Sequence, residues 1–543
     1  MSEQTGQPPS QEMTSADRGV PHPHTAAIGH LPSANPQSAL ESAGRSYIPL
    51  GNGRSKAPIL APAPPHWKRY SNGPRVTFQP LALGTPQPWS ASRAAVGQLV
   101  GRSYGLSRQR WRAAEDERPQ AAGRTLPLLD ADTRVLAIDL LRSVPSGGGC
   151  FPGELYLVAT QLGDLAAGLY HYDVAHHSLD LLRVGELRGD VAVALAEPTA
   201  PMLYLLVSAV FWRSGYKYGE FSYRLHSLDL GAIIGQVGAV ARAMSLRPGL
   251  HLRFDDNALD GLLGLDPQRE SAYAVIALSP DAARCPAPPS AAPLPPLLAA
   301  AAVEGEPISR WPALARLHDA ARRQVPIAGR LSPLPLAVGR PYRLPSPALP
   351  ALWNDSSVRR SALTALRRVT LSLADLAALL LVGACGWTSD IAAETATTVH
   401  TALYCLVNDV NGLPVGSYVY HASTHTLYGL REGPHTAALQ ASLRGPDLNM
   451  AAASVCLILV GSYERGFAHY GDRWYRMQNL EAGACIQQLL LAAHALGLGS
   501  QVHCGFQVPL LNQLLGLPTE QTSLAQILVA ASAPNGQTYE QAL

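Results

Sequence analysis

Two stretches of the chain are apolar around most of a helical circumference. Leu230–Leu246 (LGAIIGQVGAVARAMSL) and Ala482–Gly499 (AGACIQQLLLAAHALGLG) leave almost no polar face, which predicts helices buried between layers. Upstream of each, ELYLVAT from Glu154 and ALYCLVND from Ala402 predict strands. They lead into GLYHYD at Gly168 and GSYVYH at Gly416, where alternating Tyr and flanking turn residues predict a second strand. Ser309–Arg323 (SRWPALARLHDAARR) spaces its apolar residues helically and predicts a docking helix. The apolar runs around Leu376–Trp387 and Ala451–Val460 fall short of the roughly 18 residues that a membrane-spanning helix requires. Asp375 borders the first, so both read as core elements. The pattern is α+β, with a central buried helix in each half.

The halves are copies. GLYHYDVAHHSL (Gly168–Leu179) returns as GSYVYHASTHTL (Gly416–Leu427), with Gly, two Tyr, a His and a Leu in register. YKYGEFSYRLHSLDLGA (Tyr216–Ala232) answers AHYGDRWYRMQNLEAGA (Ala468–Ala484) in the same order. So long a period is far above the roughly 20–50 residues of stacked repeats and marks two duplicated domains. Residues 1–65 mix Pro, Ser, Gly and His without apolar periodicity and are expected to form a disordered tail. Copy one spans residues 66–280. Residues 281–334 hold a Pro/Ala linker, CPAPPSAAPLPP at Cys285–Pro296, and the docking helix. Copy two spans 335–543 and opens where PLAVG at Pro335 matches PLALG at Pro80.

With 543 residues, 47% of them hydrophobic and 15% charged, the chain can bury two large cores. A formal net charge of +2, without a Lys/Arg run interleaved with aromatics, gives no footprint for nucleic acid or a membrane surface. The seven Cys, at 150, 285, 385, 405, 456, 485 and 504, show neither C-x-x-C spacing nor a disulfide framework, which fits a reducing cytoplasm. The N-terminus lacks the basic-then-apolar pattern of a secretory signal. H-E-x-x-H, P-loop and G-x-S-x-G patterns are absent, which removes the metalloprotease, nucleotide-hydrolase and serine-hydrolase readings. His171, His176 and His177 lie along a strand and its turn without a second cluster, so they read as surface histidines rather than metal ligands.

The series RSVPSGG (Arg142–Gly148), ELYLV, GLYHYD, VFWRSGYKYGEFSYR (Val210–Arg224) and the Ala/Leu helix ending in LGLG resembles the SagB-type peptide dehydrogenases. These are azoline oxidases of the FMN-dependent nitroreductase superfamily, and the resemblance runs from about His66 to Ala530. It implies a dimeric fold with FMN in the interface, each site drawing on both subunits. A fused duplicate then builds that dimer within one chain. One subunit of such a dimer offers an Arg-Arg-Ser start of a helix and a Gly-containing loop after the long helix. The other offers a Pro-Ser-x-Gly loop and a Lys-Tyr segment.

The copies divide these motifs. Copy two keeps Arg359, Arg360 and Ser361 ahead of the LADLAALLL helix. Its GLGSQVHCGF puts Val502, His503, Cys504 and Gly505 where the family lays backbone against the flavin ring. Copy one has no adjacent Arg pair between Pro80 and Leu106, and Arg253 replaces the Gly, putting a long side chain where close backbone approach is wanted. The other pair of motifs shows the reverse. Copy one keeps the loop Pro145, Ser146, Gly147 and Gly148 and the pair Lys217 and Tyr218, where copy two has AETAT at Ala393–Thr397 and His469–Tyr470. One composite FMN site is therefore expected. The resemblance implies that Arg359, Arg360 and Ser361 hold the phosphate, for which Arg brings permanent charge and bidentate donors. It implies that backbone amides near Cys504 and Gly505 face the flavin edge, and that Lys217 and Tyr218 take the proton in azoline oxidation. The expected partners are a peptide or small-molecule heterocyclic substrate and a cyclodehydratase or carrier protein; a further oligomer of the pseudo-dimer stays open. So do two alternatives, an NAD(P)H-dependent nitro or quinone reductase and a flavin-free scaffold. The C-terminal NGQTYEQAL lacks the basic residues that many nitroreductases add to the phosphate.

Overall fold

In a computed structural model the repeated Tyr block forms the same local structure twice. The structure describes residues 43–49, 64–113 without 83, 124–125, 136–280, 285–301, 305–322, 331–347, 359–362, 366–391 without 387, 400–532 without 445–447, and 538–542. Gly168–Asp173 and Gly416–His421 are strands that carry the same bulge, between Leu169 and Tyr170 and between Ser417 and Tyr418. The first Tyr of each block donates to a loop carbonyl, Tyr170 to Ala166 at 2.7 Å and Tyr418 to Pro414 at 2.6 Å. The second hydrogen-bonds the turn histidine, Tyr172 to His177 at 2.9 Å and Tyr420 to His425 at 2.8 Å. Both histidines have left-handed backbone, φ 47° and 48°, and the side-chain bond helps hold a turn that a residue with a Cβ seldom adopts.

Around these strands each half builds one antiparallel sheet. In copy one the order is Arg247–His251, Glu270–Ser279, Leu203–Val210, Gly153–Ala159, Gly168–Asp173, Ser178–Val184 and Arg75–Thr77. Copy two repeats it as Thr522–Ser532, Val455–Gly461, Ala402–Val407, Gly416–His421, Thr426–Glu432 and Arg340–Arg343, with Gly499–His503 and Leu366–Arg367 both paired to Thr522–Ser532. The inner strands are buried on both faces, every residue of Glu270–Ser279 and Val455–Gly461 included, which is why they read as continuous apolar runs. The end of copy two crosses over: Thr538–Ala542 pairs with Leu106–Ala113 of copy one, which in turn pairs with Leu136–Arg142.

The predicted central helices run Ser222–Ala243 and Arg473–Ala495. Both begin earlier than their apolar runs because buried Tyr223, Arg224, Trp474 and Arg476 extend them. The two pack on each other across the seam. A Cβ on Gly231 would lie 2.2 Å from the Leu480 carbonyl oxygen and 2.8 Å from Gly483 Cα, and one on Gly483 would lie 2.1 Å from the Leu228 carbonyl oxygen. Backbone meets backbone there, which accounts for the Leu-acid-x-Gly string in both copies. The α+β class and the intramolecular pseudo-dimer follow directly.

The docking helix is Pro312–Arg322, burying Leu314 and Leu317. Trp311 ahead of it stacks on Trp212 with ring centroids 6.0 Å apart. The Glu220 carboxylate accepts from the Ala313 and Leu314 amides at 3.1 and 2.7 Å, satisfying donors that a helix start leaves open. The expected disordered tail lies mostly outside the described residues, but residues 43–49 are helical and correct it there. Tyr47 is 1% exposed, wedged between Tyr223 and Tyr475 at 5.9 and 5.2 Å; one aromatic ring supplies the burial that periodicity did not announce. The surface reading of His171 also fails. It is fully buried and bonded to Glu154 at 2.9 Å, because strand Gly168–Asp173 lies inside the sheet rather than at its rim. No helix among the described residues is long and apolar enough to cross a membrane.

Candidate functional site

A cavity of about 510 Å³ opens at the seam between the halves, within the range of cofactor and ligand pockets. Copy one contributes Pro145, Ser146, Gly147, Gly148, Lys217 and Tyr218 to its wall. Copy two contributes Arg359, Ser361, Val502, His503, Cys504 and Gly505. Twelve of the thirteen residues expected from sequence therefore share one space, and Arg360 does not.

The copy-one wall is built on a glycine turn. Gly148 has φ +62°, a conformation that favours glycine, and a Cβ there would sit 2.2 Å from Tyr218 Oη and 2.7 Å from Lys217 Nζ, so those side-chain ends would have to move away. Lys217 Nζ donates to the Gly148 carbonyl at 3.2 Å and stands 5.6 Å from the Tyr218 ring centroid. Both lie on the short helix Trp212–Tyr218, which Arg213 fastens to the loop. Its guanidinium donates to the Phe151 carbonyl at 3.1 Å and pairs with buried Glu154 at 2.5 Å. The matching Arg465 of copy two is spent instead on the carbonyls of Ser332 and Pro333. On the other side of the loop stands Asp229, 8% exposed. Burial pushes its carboxyl up to about 7, against the opposing effect of hydrogen bonds from Ser146 and Gly147.

The copy-two wall is an extended segment and a strand end. Arg359 is 2% exposed and its Nε donates across the seam to the Ser143 carbonyl at 3.1 Å. The Ala362 amide donates to Ser500 at 2.9 Å, tying the segment to strand Gly499–His503. Arg360, the next residue, is exposed and lies outside the cavity lining. The expected start of a helix is also corrected. Strand Leu366–Arg367 intervenes, and helix Leu373–Gly383 is capped by Ser372. If the cavity takes FMN, Arg359→Ala is expected to weaken its binding by about 10–100-fold, the worth of a charged hydrogen bond, and Arg360→Ala to change it less than about threefold. Titration of flavin fluorescence checks both, and equal losses would reject the assignment. His503 Nε2 donates to the Gly505 carbonyl at 2.8 Å, fixing the loop. Burial pushes the Cys504 thiol up to about 11, so it stays protonated and offers backbone rather than a nucleophile.

The sequence reading missed four of the six cations that line the cavity. Arg108, Arg110, Arg142 and Arg444 also line the cavity, and with Lys217 and Arg359 they make six cations against Asp139 and Asp229. Arg110 pairs with Asp139 at 2.7 Å, and Arg142 lies 4.1 Å from the Tyr104 ring centroid and 4.9 Å from that of Phe151. The signal was present in SRQRWR, where alternation puts Arg108 and Arg110 on one face of a strand. The strand Thr538–Ala542 pairs alongside the one that carries Arg108 and Arg110. A cationic cavity with a glycine cradle fits a group that carries a phosphate dianion on an extended planar body, as FMN does.

At the pseudo-symmetric position in the other half, among the described residues, the matching backbone amides are occupied. The amides of Leu252 and Arg253, which match Cys504 and Gly505, donate to the Asp390 carboxylate at 2.9–3.1 Å. Leu250 is further paired to Thr388 and Asp390 through backbone bonds. The expectation that the Arg253 side chain blocks this place is corrected: Arg253 is exposed, and a carboxylate from copy two occupies the amides. His469 turns its Nδ1 to the Arg465 carbonyl at 3.1 Å. The AETAT segment lies outside the described residues.

The Nitroreductase family model matches residues 399–530, within copy two. The trifolitoxin-processing protein TfxB of Rhizobium leguminosarum bv. trifolii is 30% identical over 145 residues, covering 25% of this chain and 39% of that protein. A Methanocaldococcus jannaschii protein described as a nitroreductase, MJ1384, is 35% identical over 105 residues, 19% of this chain and 52% of that one. The chain thus spans about half or less of the length of each curated relative. A crystal structure of a protein described as a nitroreductase, from Anabaena variabilis, superposes with a TM-score of 0.70 at 24% identity, covering 90% of this chain and 99% of that one. That superposition takes in both halves at once. Copy two thus carries a Nitroreductase family domain at residues 399–530, and the fold of the two halves together is that of the Anabaena variabilis structure.

Proposed function

We propose that this chain is an FMN-dependent oxidoreductase of the SagB type, dehydrogenating an azoline or similar heterocycle in a modified peptide or natural-product intermediate. The observation that carries the reading is the composite cavity: Lys217 on the Gly148 cradle comes from one half, and Arg359 with the Val502–Gly505 backbone comes from the other. The similarity to a protein named for trifolitoxin processing supports a natural-product substrate. Arg359 and Ser361, with Arg108, Arg110 and Arg444 nearby, are the residues to hold the phosphate. The Gly505 segment, fixed by His503, and the Pro145–Gly149 loop are the surfaces to hold the ring. Bound there, FMN supplies a two-electron acceptor for the hydride that leaves one ring carbon of the azoline. Lys217 removes the proton from the adjacent carbon, with the Tyr218 hydroxyl beside it at the Gly148 turn. The substrate is peptide-borne or a small heterocycle, a cyclodehydratase or carrier protein is the working partner, and seven free cysteines suit a reducing cytoplasm.

Because Asp390 occupies the second set of amides, one FMN per chain is the expected stoichiometry. Absorbance of the purified, FMN-saturated protein against its amino-acid content measures it. Two flavins per chain, or none, would defeat the composite-site reading, and flavin bleaching by NADPH without a heterocyclic substrate would point to a nitro or quinone reductase.

A further inference from the structure

The acid of the Leu-acid-x-Gly string does different work in the two copies. In copy two, Glu481 bonds His400 at 3.2 Å. In copy one the matching Asp229 turns into the cavity wall and takes hold of the glycine loop. Ser146 Oγ donates to its Oδ2 at 2.5 Å, and the Gly147 amide donates to Oδ1 at 3.0 Å and to Oδ2 at 3.1 Å. Ser146 Oγ in turn accepts from the Phe151 amide at 2.8 Å, so the loop is closed on itself around one carboxylate. Beyond Gly147 the chain reaches Gly148, whose carbonyl receives Lys217 Nζ. Asp229 thus stands at one end of a run of bonds that finishes at the proposed base.

We propose that Asp229 is a positioning residue, clamping the Pro145–Gly149 loop to helix Ser222–Ala243 so that Gly148 keeps the Lys217 amine in the cavity. The inference rests on the oxidoreductase reading of the cavity and adds a group that acts on the base through the loop. The Asp229 carboxyl suits the task because its two oxygens can accept from the Ser146 hydroxyl and the Gly147 amide together. Among the described residues, the matching acid of copy two bonds His400 rather than a glycine loop.

Amide hydrogen exchange on the flavin-free protein tests the clamp directly. Asp229→Ala and Ser146→Ala are each expected to speed exchange at Gly147–Phe151 by about tenfold or more while helix Ser222–Ala243 keeps its protection. Asp229→Asn retains an acceptor for the Gly147 amide and should restore most of the protection. Glu481→Gln should leave the loop as it is. With FMN bound, Asp229→Ala should lower kcat by more than it raises KM, because the Lys217 amine is misplaced when the loop is loosened. Unchanged loop exchange in both the Asp229→Ala and Ser146→Ala proteins would overturn the proposal. Should Asp229→Ala fail to fold, Ser146→Ala decides alone, since it leaves the helix untouched. Wild-type protein that binds no FMN would refute the oxidoreductase reading and leave the exchange result standing.

Discussion

Lys217→Ala is expected to keep its flavin and lose turnover by roughly 10²–10⁴-fold, the usual contribution of a positioned general base. The flavin should stay because the phosphate-binding candidates lie in copy two and in the strand Leu106–Ala113, away from the short helix that carries Lys217. The turnover should fall because Lys217 Nζ is held at the cavity wall by the Gly148 carbonyl, and alanine leaves that cradle without an amine. Lys217→Arg separates two roles for the residue. A guanidinium keeps the positive charge but does not deprotonate near neutral pH, so a base is lost in both variants, whereas a purely electrostatic role would survive in the second. Flavin absorbance and single-turnover bleaching with an azoline-containing peptide measure the two quantities independently. Full turnover in Lys217→Ala would remove the residue from the mechanism.

The second large effect concerns the seam itself. Gly483→Val is expected to cost more than about 4 kcal/mol of stability, in the exceptional range for a single substitution. A Cβ at Gly483 would meet the Leu228 carbonyl oxygen at 2.1 Å and Gly231 Cα at 2.8 Å, and both are backbone atoms of a buried helix that cannot turn aside. Relief requires the Ser222–Ala243 and Arg473–Ala495 helices to part, opening the seam that also forms the cavity. Gly261→Ala is the control. A Cβ there meets nothing within 4 Å, in a helix with ordinary backbone, so a gain of about 0.4–1 kcal/mol is expected from the unfolded chain's lost freedom. Chemical denaturation of the flavin-free protein reads both. A Gly483→Val protein within about 1 kcal/mol of wild type would mean that the helices do not cross at that point.

The duplication was legible because it rests on local chemistry. Each Tyr-x-Tyr block must tie its own turn through Tyr172 and His177 or Tyr420 and His425, and each central helix must offer a glycine to its twin. Residues bound to such tasks stay in register, and the eye finds them. The division of the loop, the Lys-Tyr pair and the Gly505 segment between halves was equally open to reading, since each is a short contiguous string. The acid in the Leu-acid-x-Gly string was visible as well, but its partner Ser146 is 83 positions away, and nothing in the spacing joins them.

By itself the sequence determined the two copies, the strands flanking the Tyr blocks, the buried helices and most of the strings that meet in the cavity. Periodicity and turn chemistry act over a few residues, and those features need no more. The tertiary structure alone decided which arginine of an adjacent pair lines the cavity, because only the contacts of Arg359 with Ser143 and of Ala362 with Ser500 fix how that segment lies. It also decided that Arg108 and Arg110 join the site from a strand shared with the far end of the chain, that Asp390 occupies the second set of amides, and that Asp229 grips the loop. Each of these is a contact between residues distant in sequence, fixed by how the halves pack rather than by any local preference.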